Sequence, residues 1–177
     1  MRVRTRSPDS FWGYSFAHAD RFSLNLPWKE TISCCFHESG PDPDDPQAAA
    51  FFKSAFGQEF EDIRWIFQEY CKAMKRLCDG IIEILGLSLG ADESEFKEYF
   101  QEGSSSIMRC NFYPRCQEPG LVLGTGPHCD PTALTILHQD QVGGLQVFAD
   151  HKWKSVRPRH DALVVSLGDT FAVSRQL

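Results

Sequence analysis

IMRCNFY at 107–113, LTILH at 134–138, LQVF at 145–148, WKSV at 153–156 and ALVVSL at 162–167 are five short segments. The first two alternate between apolar and polar residues, and the last is a brief apolar run. Period-two patterning over four to seven residues is the signature of strands, because successive side chains in extended chain point to opposite faces. Gly143-Gly144 and Asp150-His151 supply turns between them. Several short strands at this spacing predict an antiparallel sandwich or barrel.

Upstream the period changes. Phe56, Phe60, Ile63, Phe67, Tyr70, Met74, Leu77, Ile81 and Leu85 recur at intervals of three or four, which places them on one helical face. The spacing predicts a long amphipathic helix from about Gln47, with Asp44 or Asp45 as cap, Pro46 in the first turn and Gly86 at its left-handed C-terminal position. A shorter helix is expected from Asp92 to Phe100. Residues 1–46 carry aromatics without regular period and read as loop-rich.

The 177 residues carry a formal charge of -6 with both signs mixed, and no basic stripe suited to a phosphate backbone, so nucleic acid is not an expected partner. No stretch reaches the roughly 20 apolar residues of a bilayer span, and Arg2, Arg4 and Arg6 precede no apolar signal region. The expectation is a soluble, cytoplasmic protein. Seven cysteines without C-x-x-C spacing read as reduced thiols.

Three His-x-acid triplets occur, His18/Asp20, His128/Asp130 and His138/Asp140. Residues two apart on extended backbone face the same side, so such a pair can share one ion if the chain is extended beside a cavity. His128 and Asp130 meet that condition best, following Gly124-Thr125-Gly126-Pro127 and preceding the Leu134–Leu137 run. The alternative is a surface strand with two polar residues. His18/Asp20 sits in a polar loop, and His138/Asp140 at a strand end beside a glycine turn. An imidazole and a carboxylate, joined by a second His, make the facial triad that leaves positions open on iron(II).

At these residues the chain resembles the plant 2-oxoglutarate and iron(II)-dependent oxygenases, and within them the gibberellin 20-oxidases. Asn111 to Gln117 is similar to the family's Asn-Tyr-Tyr-Pro-x-Cys-Gln, with Phe112 at the first Tyr. Leu123 to Asp130 is similar to Leu-Gly-Thr-Gly-Pro-His-x-Asp, and the likeness continues through Leu134 to Phe148. Leu26 to Thr31 reads Leu-Pro-Trp-Lys-Glu-Thr, the stretch that marks 20-oxidases among their relatives. The likeness runs roughly from Ser10 to Phe171.

The resemblance implies an α+β fold: a partial double-stranded β-helix, or jelly roll, backed by the long helix. Residues 1–102 would be a remnant of the N-terminal oxygenase region with the long helix, and 103–177 a partial jelly-roll domain. It implies Fe(II) held by His128 and Asp130, 2-oxoglutarate contacted by Tyr113 and Asn111, and ascorbate as reductant. Polar strand-end residues are the alternative for Tyr113 and Asn111. The implied reaction couples decarboxylation of 2-oxoglutarate to stepwise oxidation of C-20 of an acidic diterpenoid, a gibberellin precursor, by a monomeric enzyme. Other gibberellin carbons or flavonoids are the alternative substrates.

The chain departs from the family after Gly168-Asp169-Thr170-Phe171. The second His ligand and the Arg-x-Ser pair that grips 2-oxoglutarate do not follow, and His151 and His160 stand in turn and loop sequence unsuited to replace the ligand. No catalytic residue is therefore assigned, and the expectation is an incomplete, truncated form, with a catalytically inactive isoform or fragment as the alternative to an active oxidase. Val173-Ser174 is also what an in-frame splice donor GTAAGT encodes, so a retained intron is one expectation for the ending, tested by sequencing the transcript across the Ala172 codon. Lys154, Arg157 and Arg159 are candidate anion contacts, with exposed hairpin charges as the alternative.

Overall fold

The computed structural model describes residues 12–16, 27–36, 51, 56–57, 61–91, 100 and 106–174. The chain divides into two compact units, Met1–Pro127 and His128–Leu177.

In the first unit, β1 (Gly13–Phe16), β2 (Glu30–Phe36) and β3 (Ser106–Phe112) form an antiparallel sheet in the order β1-β2-β3. Residues 1–46 are thus not simply loop-rich, since two strands lie within them. β2 is central and covered on both faces, so it need not alternate in polarity. Cys34 and Phe36 are buried on one face; Thr31 and Ser33 are buried on the other.

Polar side chains can be buried there because they are hydrogen-bonded. In the register Thr31 faces Asn111 and Ser33 faces Arg109. Thr31 Oγ1 donates to Asn111 Oδ1 at 2.9 Å, and Arg109 Nε donates to Ser33 Oγ at 3.0 Å. Thr31→Val keeps the shape and removes the donor, so it should cost about 1 kcal/mol. A thermal melt should register a fall of roughly 2–4 °C; an unchanged midpoint would mean that the cross-strand bond contributes nothing net.

The helix α1 spans Glu61–Leu89, so it does not run unbroken from Gln47 as expected: Gly57, with φ +89°, stands outside the helical region. The helix lies on the other face of the sheet, where Cys71 packs with Phe36 and Met108, its Sγ 3.3 Å from Met108 Sδ. Burial pushes the Cys71 thiol up to about 11 and the Cys34 thiol up to about 12. None of the seven cysteines is joined in a disulfide.

Two further details of the helix differ from the sequence reading. The buried positions are Gln68, Cys71, Ile82 and Gly86, while Ile63 and Leu77 of the expected face are 39% and 40% exposed. The stripe that meets the sheet is turned by about one residue, roughly 100°. Two overlapping rows at helical spacing run along α1, and only packing selects between them; the small Cys71 fits against Met108.

The second difference is the C-terminus. Gly86 lies inside the helix, and Gly90, with φ +68°, takes the left-handed position. Gly90 N donates to Leu87 O at 3.1 Å and Ala91 N to Gly86 O at 3.1 Å, the paired bonds of a Schellman motif. Gly86 therefore supplies the carbonyl that the motif caps. The expected caps at Asp44 to Pro46 lie outside the described residues, as does 92–99 of the expected shorter helix.

In the second unit, β4 (Leu134–Leu137) pairs with β7 (Val164–Leu167), and β5 (Gln146–Ala149) with β6 (Lys152–Ser155), both antiparallel. Asp150 and His151 join β5 to β6 with φ 52° and 60°, the double left-handed geometry of a type I′ hairpin. Phe148 and Trp153 face each other across it with ring centroids 5.2 Å apart. The short helix α2 (Asp169–Ser174) follows β7 and buries Phe171.

Three small antiparallel sheets and a long helix make an α+β fold, consistent with a partial double-stranded β-helix. Among the described residues no sheet closes into a barrel. No helix among them is long and apolar enough to cross a membrane.

Candidate functional site

His128 and Asp130 lie in irregular chain just before β4 rather than in a strand, which corrects the expectation of strand geometry. Their side chains nevertheless converge, with His128 Nε2 3.5 Å from Asp130 Oδ1. That is too long for a good hydrogen bond. It is shorter than twice a metal–ligand bond of about 2.1 Å, so both donors can reach one ion. The side chains are 48% and 34% exposed, open enough for an ion to enter. A borderline nitrogen and a hard oxygen suit a divalent first-row metal. Among the described residues no group of three His, Cys, Asp or Glu side chains is placed to hold a metal. The residues fit two of the three donors of a facial triad.

What holds Asp130 in place is a feature the sequence reading passed over. Asp169 N donates to Asp130 O at 2.8 Å, Gly168 N to Ala133 O at 3.0 Å, and Thr170 Oγ1 to Pro131 O at 2.6 Å. Gly168 is packed so tightly that an added Cβ would lie 1.9 Å from Thr132 O and 2.7 Å from Asp130 O. Gly168 to Thr170 therefore pins the backbone of residues 130–133. The only signal in the sequence is a glycine and two N-capping residue types after a strand, which a generic strand-to-helix turn also explains.

Asn111 and Tyr113 belong to the first unit. Asn111 is exposed and accepts the Thr31 hydroxyl. Tyr113 is half exposed, and burial of its phenol raises the pKa above the ordinary value. Its ring lies flush against Gly124, where a Cβ would come within 3.0 Å of two ring carbons. On the segment before this pair, Trp28 N donates to Leu123 O at 2.7 Å, Trp28 Nε1 to Pro114 O at 3.0 Å and Lys29 Nζ to Thr125 Oγ1 at 3.1 Å. Burial, with the neighbouring Arg109 charge, lowers the Lys29 pKa.

The remaining candidates lie in turns or in local ion pairs. His151 is at the hairpin tip and His160 in a turn, as expected, and Asp140 accepts Val142 N at 2.8 Å in a local turn. Lys154 is ion-paired with Asp150, and Arg159 makes a two-bond pair with Asp161 at 3.0 and 2.9 Å. Both cations are thus engaged locally. His18 and Asp20 lie outside the described residues.

Residues 104–176 match the family model of the 2OG-Fe(II) oxygenase superfamily. These residues belong to the 2OG-Fe(II) oxygenase superfamily. The chain is closely related to plant gibberellin 20-oxidases: it is 51% identical over 170 residues to gibberellin 20 oxidase 2 of Oryza sativa subsp. japonica, covering 96% of this chain and 43% of the relative. It is also 51% identical over 166 residues to gibberellin 20 oxidase 2 of Arabidopsis thaliana, covering 94% and 43%. Among solved structures it resembles JOX2 in complex with 2OG, Fe and JA, with a TM-score of 0.76, 30% identity, and coverage of 94% of this chain and 47% of that one. The chain thus spans less than half the length of these relatives. Membership implies Fe(II) and 2-oxoglutarate as the family's cofactor and cosubstrate.

Bound iron would supply the redox chemistry that activates dioxygen. The protein's own contribution is positional. His128 and Asp130 are the two side chains that could offer the iron a nitrogen and an oxygen, and Gly168 to Thr170 tie down the Asp130 backbone.

Proposed function

We propose that the chain carries a two-ligand iron half-site, His128 and Asp130, of a gibberellin 20-oxidase-like dioxygenase, and that the 177-residue polypeptide does not turn over by itself. The observation that carries this reading is the 3.5 Å approach of His128 Nε2 to Asp130 Oδ1. No third donor stands beside them among the described residues. Asn111 and Tyr113 are assigned to the 2-oxoglutarate end of the site, and a small diterpenoid acid to the substrate end, by likeness to the gibberellin oxidases.

Two donors hold a divalent ion far more weakly than three, and a loosely held iron is lost to buffer before the cosubstrate is consumed. The purified chain incubated with Fe(II), ascorbate, 2-oxoglutarate and a C20 gibberellin should therefore form no succinate above a protein-free control. Succinate accompanied by an oxidised gibberellin would overturn the inactive reading and restore that of a working oxidase.

A further inference from the structure

We propose that the outward face of α1 is a docking surface for a second copy of this chain, the stripe from Ile63 to Leu87 pairing antiparallel with the same stripe of the copy.

α1 buries one face and leaves a second apolar one in the open. Gln68, Cys71, Ile82 and Gly86 are buried on the first. On the second, Ile63, Ile66, Leu77, Ile84 and Leu87 are exposed, Ile66, Ile84 and Leu87 by 67%, 66% and 63%. These five all fall on the first and fourth positions of one seven-residue frame beginning at Ile63, and Tyr70, Ala73 and Gly80 fill its remaining first and fourth positions. A seven-residue apolar repeat is the pattern along which two helices pack side by side. An uncharged strip kept along most of a helix, away from its own sheet, is an interaction surface rather than a scatter of surface residues. Exposed Asp62, Glu69, Arg76 and Glu83 border it, as a polar rim borders an apolar interface.

The sizes of the side chains select the partner and its direction. In a parallel pair Ala73 would meet Ala73 and Gly80 would meet Gly80, leaving two layers unfilled. In an antiparallel pair, with the two-fold axis level with Lys75, Ile63 meets Leu87, Ile66 meets Ile84, Tyr70 meets Gly80 and Ala73 meets Leu77, each in the other copy. Every layer then holds at least one bulky side chain, and each small residue faces a large one, so the stripe is complementary to itself. A Cβ added at Gly80 would meet nothing within 4 Å, so there is room for the opposing ring. Among the described residues no other helix can lie along the stripe, α2 being six residues long.

The stripe runs roughly 37 Å along the helix. At a contact width of about 10 Å the two copies together bury roughly 700 Å², below the size of a standard interface. Like charges also meet along the rim, Glu69 with Glu83 and Arg76 with its own copy. The dimer is therefore weak, with a dissociation constant on the order of 10 μM, and it tightens as salt screens the rim. This departs from the monomer that the family resemblance implies, which describes chains more than twice as long.

Sedimentation velocity of the 177-residue chain across roughly 1–300 μM should show a monomer giving way to a dimer. Ile66→Lys and Ile84→Glu should each weaken association about 100-fold, since each substitution enters the dimer twice and each entry costs about tenfold. Both positions are exposed, so the thermal midpoint at low concentration should not move. The double variant Ile66→Lys/Ile84→Glu sets an ammonium opposite a carboxylate in two layers and should recover most of the dimer, which neither a parallel pair nor a nonspecific one would do. Val142→Lys, at an exposed apolar residue of the second unit, should change nothing. A chain that stays monomeric across the range overturns the proposal, whatever covers the stripe. So does association that survives both single substitutions, that Val142→Lys abolishes as well, or that the double variant fails to recover.

Discussion

Gly168→Ala should be the most damaging single substitution in the second unit. The added methyl would sit 1.9 Å from Thr132 O and 2.7 Å from Asp130 O, where ordinary contact begins at 3.4 Å. Both obstacles are backbone, so no side chain can swing aside. The segment 130–133 must shift by more than an ångström or the turn into α2 must open. Either movement breaks Asp169 N to Asp130 O and Gly168 N to Ala133 O.

Overpacking of this kind costs typically about 1–3 kcal/mol, and with two hydrogen bonds at stake the upper end is expected. Because the displaced residue carries the proposed carboxylate ligand, metal affinity should fall on the order of 100-fold as well, at the strong end of supporting-residue effects. Gly80→Ala is the matched control, since nothing lies within 4 Å of a Cβ there and the site is helical. It should stabilise by roughly 0.5–1 kcal/mol. Urea denaturation and Co(II) titration of the two variants would separate them; equal midpoints would show that the close approach at Gly168 is relaxed in solution.

Asp130→Asn and His128→Ala should each reduce divalent-metal affinity by more than about 100-fold, beyond what loss of a supporting residue costs. The Asn side chain has nearly the shape of Asp and leaves the backbone bond to Asp169 untouched, so a loss of binding reports the missing charge rather than a changed fold. His128→Ala leaves a single donor, and one donor does not hold a labile ion. His138→Ala, at the neighbouring triplet, should leave metal affinity as it was. Retention of Co(II) by the double variant His128→Ala/Asp130→Asn would show that the metal is held elsewhere and would remove the half-site.

Much of this was legible from the amino acids. The strands β3 to β7 announce themselves by alternation or apolar runs bounded by turn residues, and the Asp150-His151 turn was placed correctly. His128 and Asp130 stood out from two rival triplets by their flanking glycines and following strand, and their side chains do converge. They converge from irregular chain rather than from a strand, because the ties to Gly168 to Thr170 hold the chain at 130–133 without a ladder. Glycine's place at the end of α1 was correct in kind and four residues early, since Gly86 and Gly90 are both eligible and only the capping bonds distinguish them.

The hidden elements share one cause. β2 buries Thr31 and Ser33, and a strand whose inward side chains are polar carries no hydrophobic period; its identity lies in partners about 80 residues away, Asn111 and Arg109. The same holds for the bonds of Trp28 and Lys29 to Leu123 and Thr125 and for the pinning of Asp130 by Asp169. Residue type and local spacing by themselves determined the long helix, the positions of β3 to β7 and the two candidate ligands, while the α+β class came with the family resemblance. Tertiary structure alone decided which helical stripe meets the sheet, that β4 pairs with β7, and what holds the ligand-bearing chain still. Those are contacts between residues distant in sequence, and no local period encodes them.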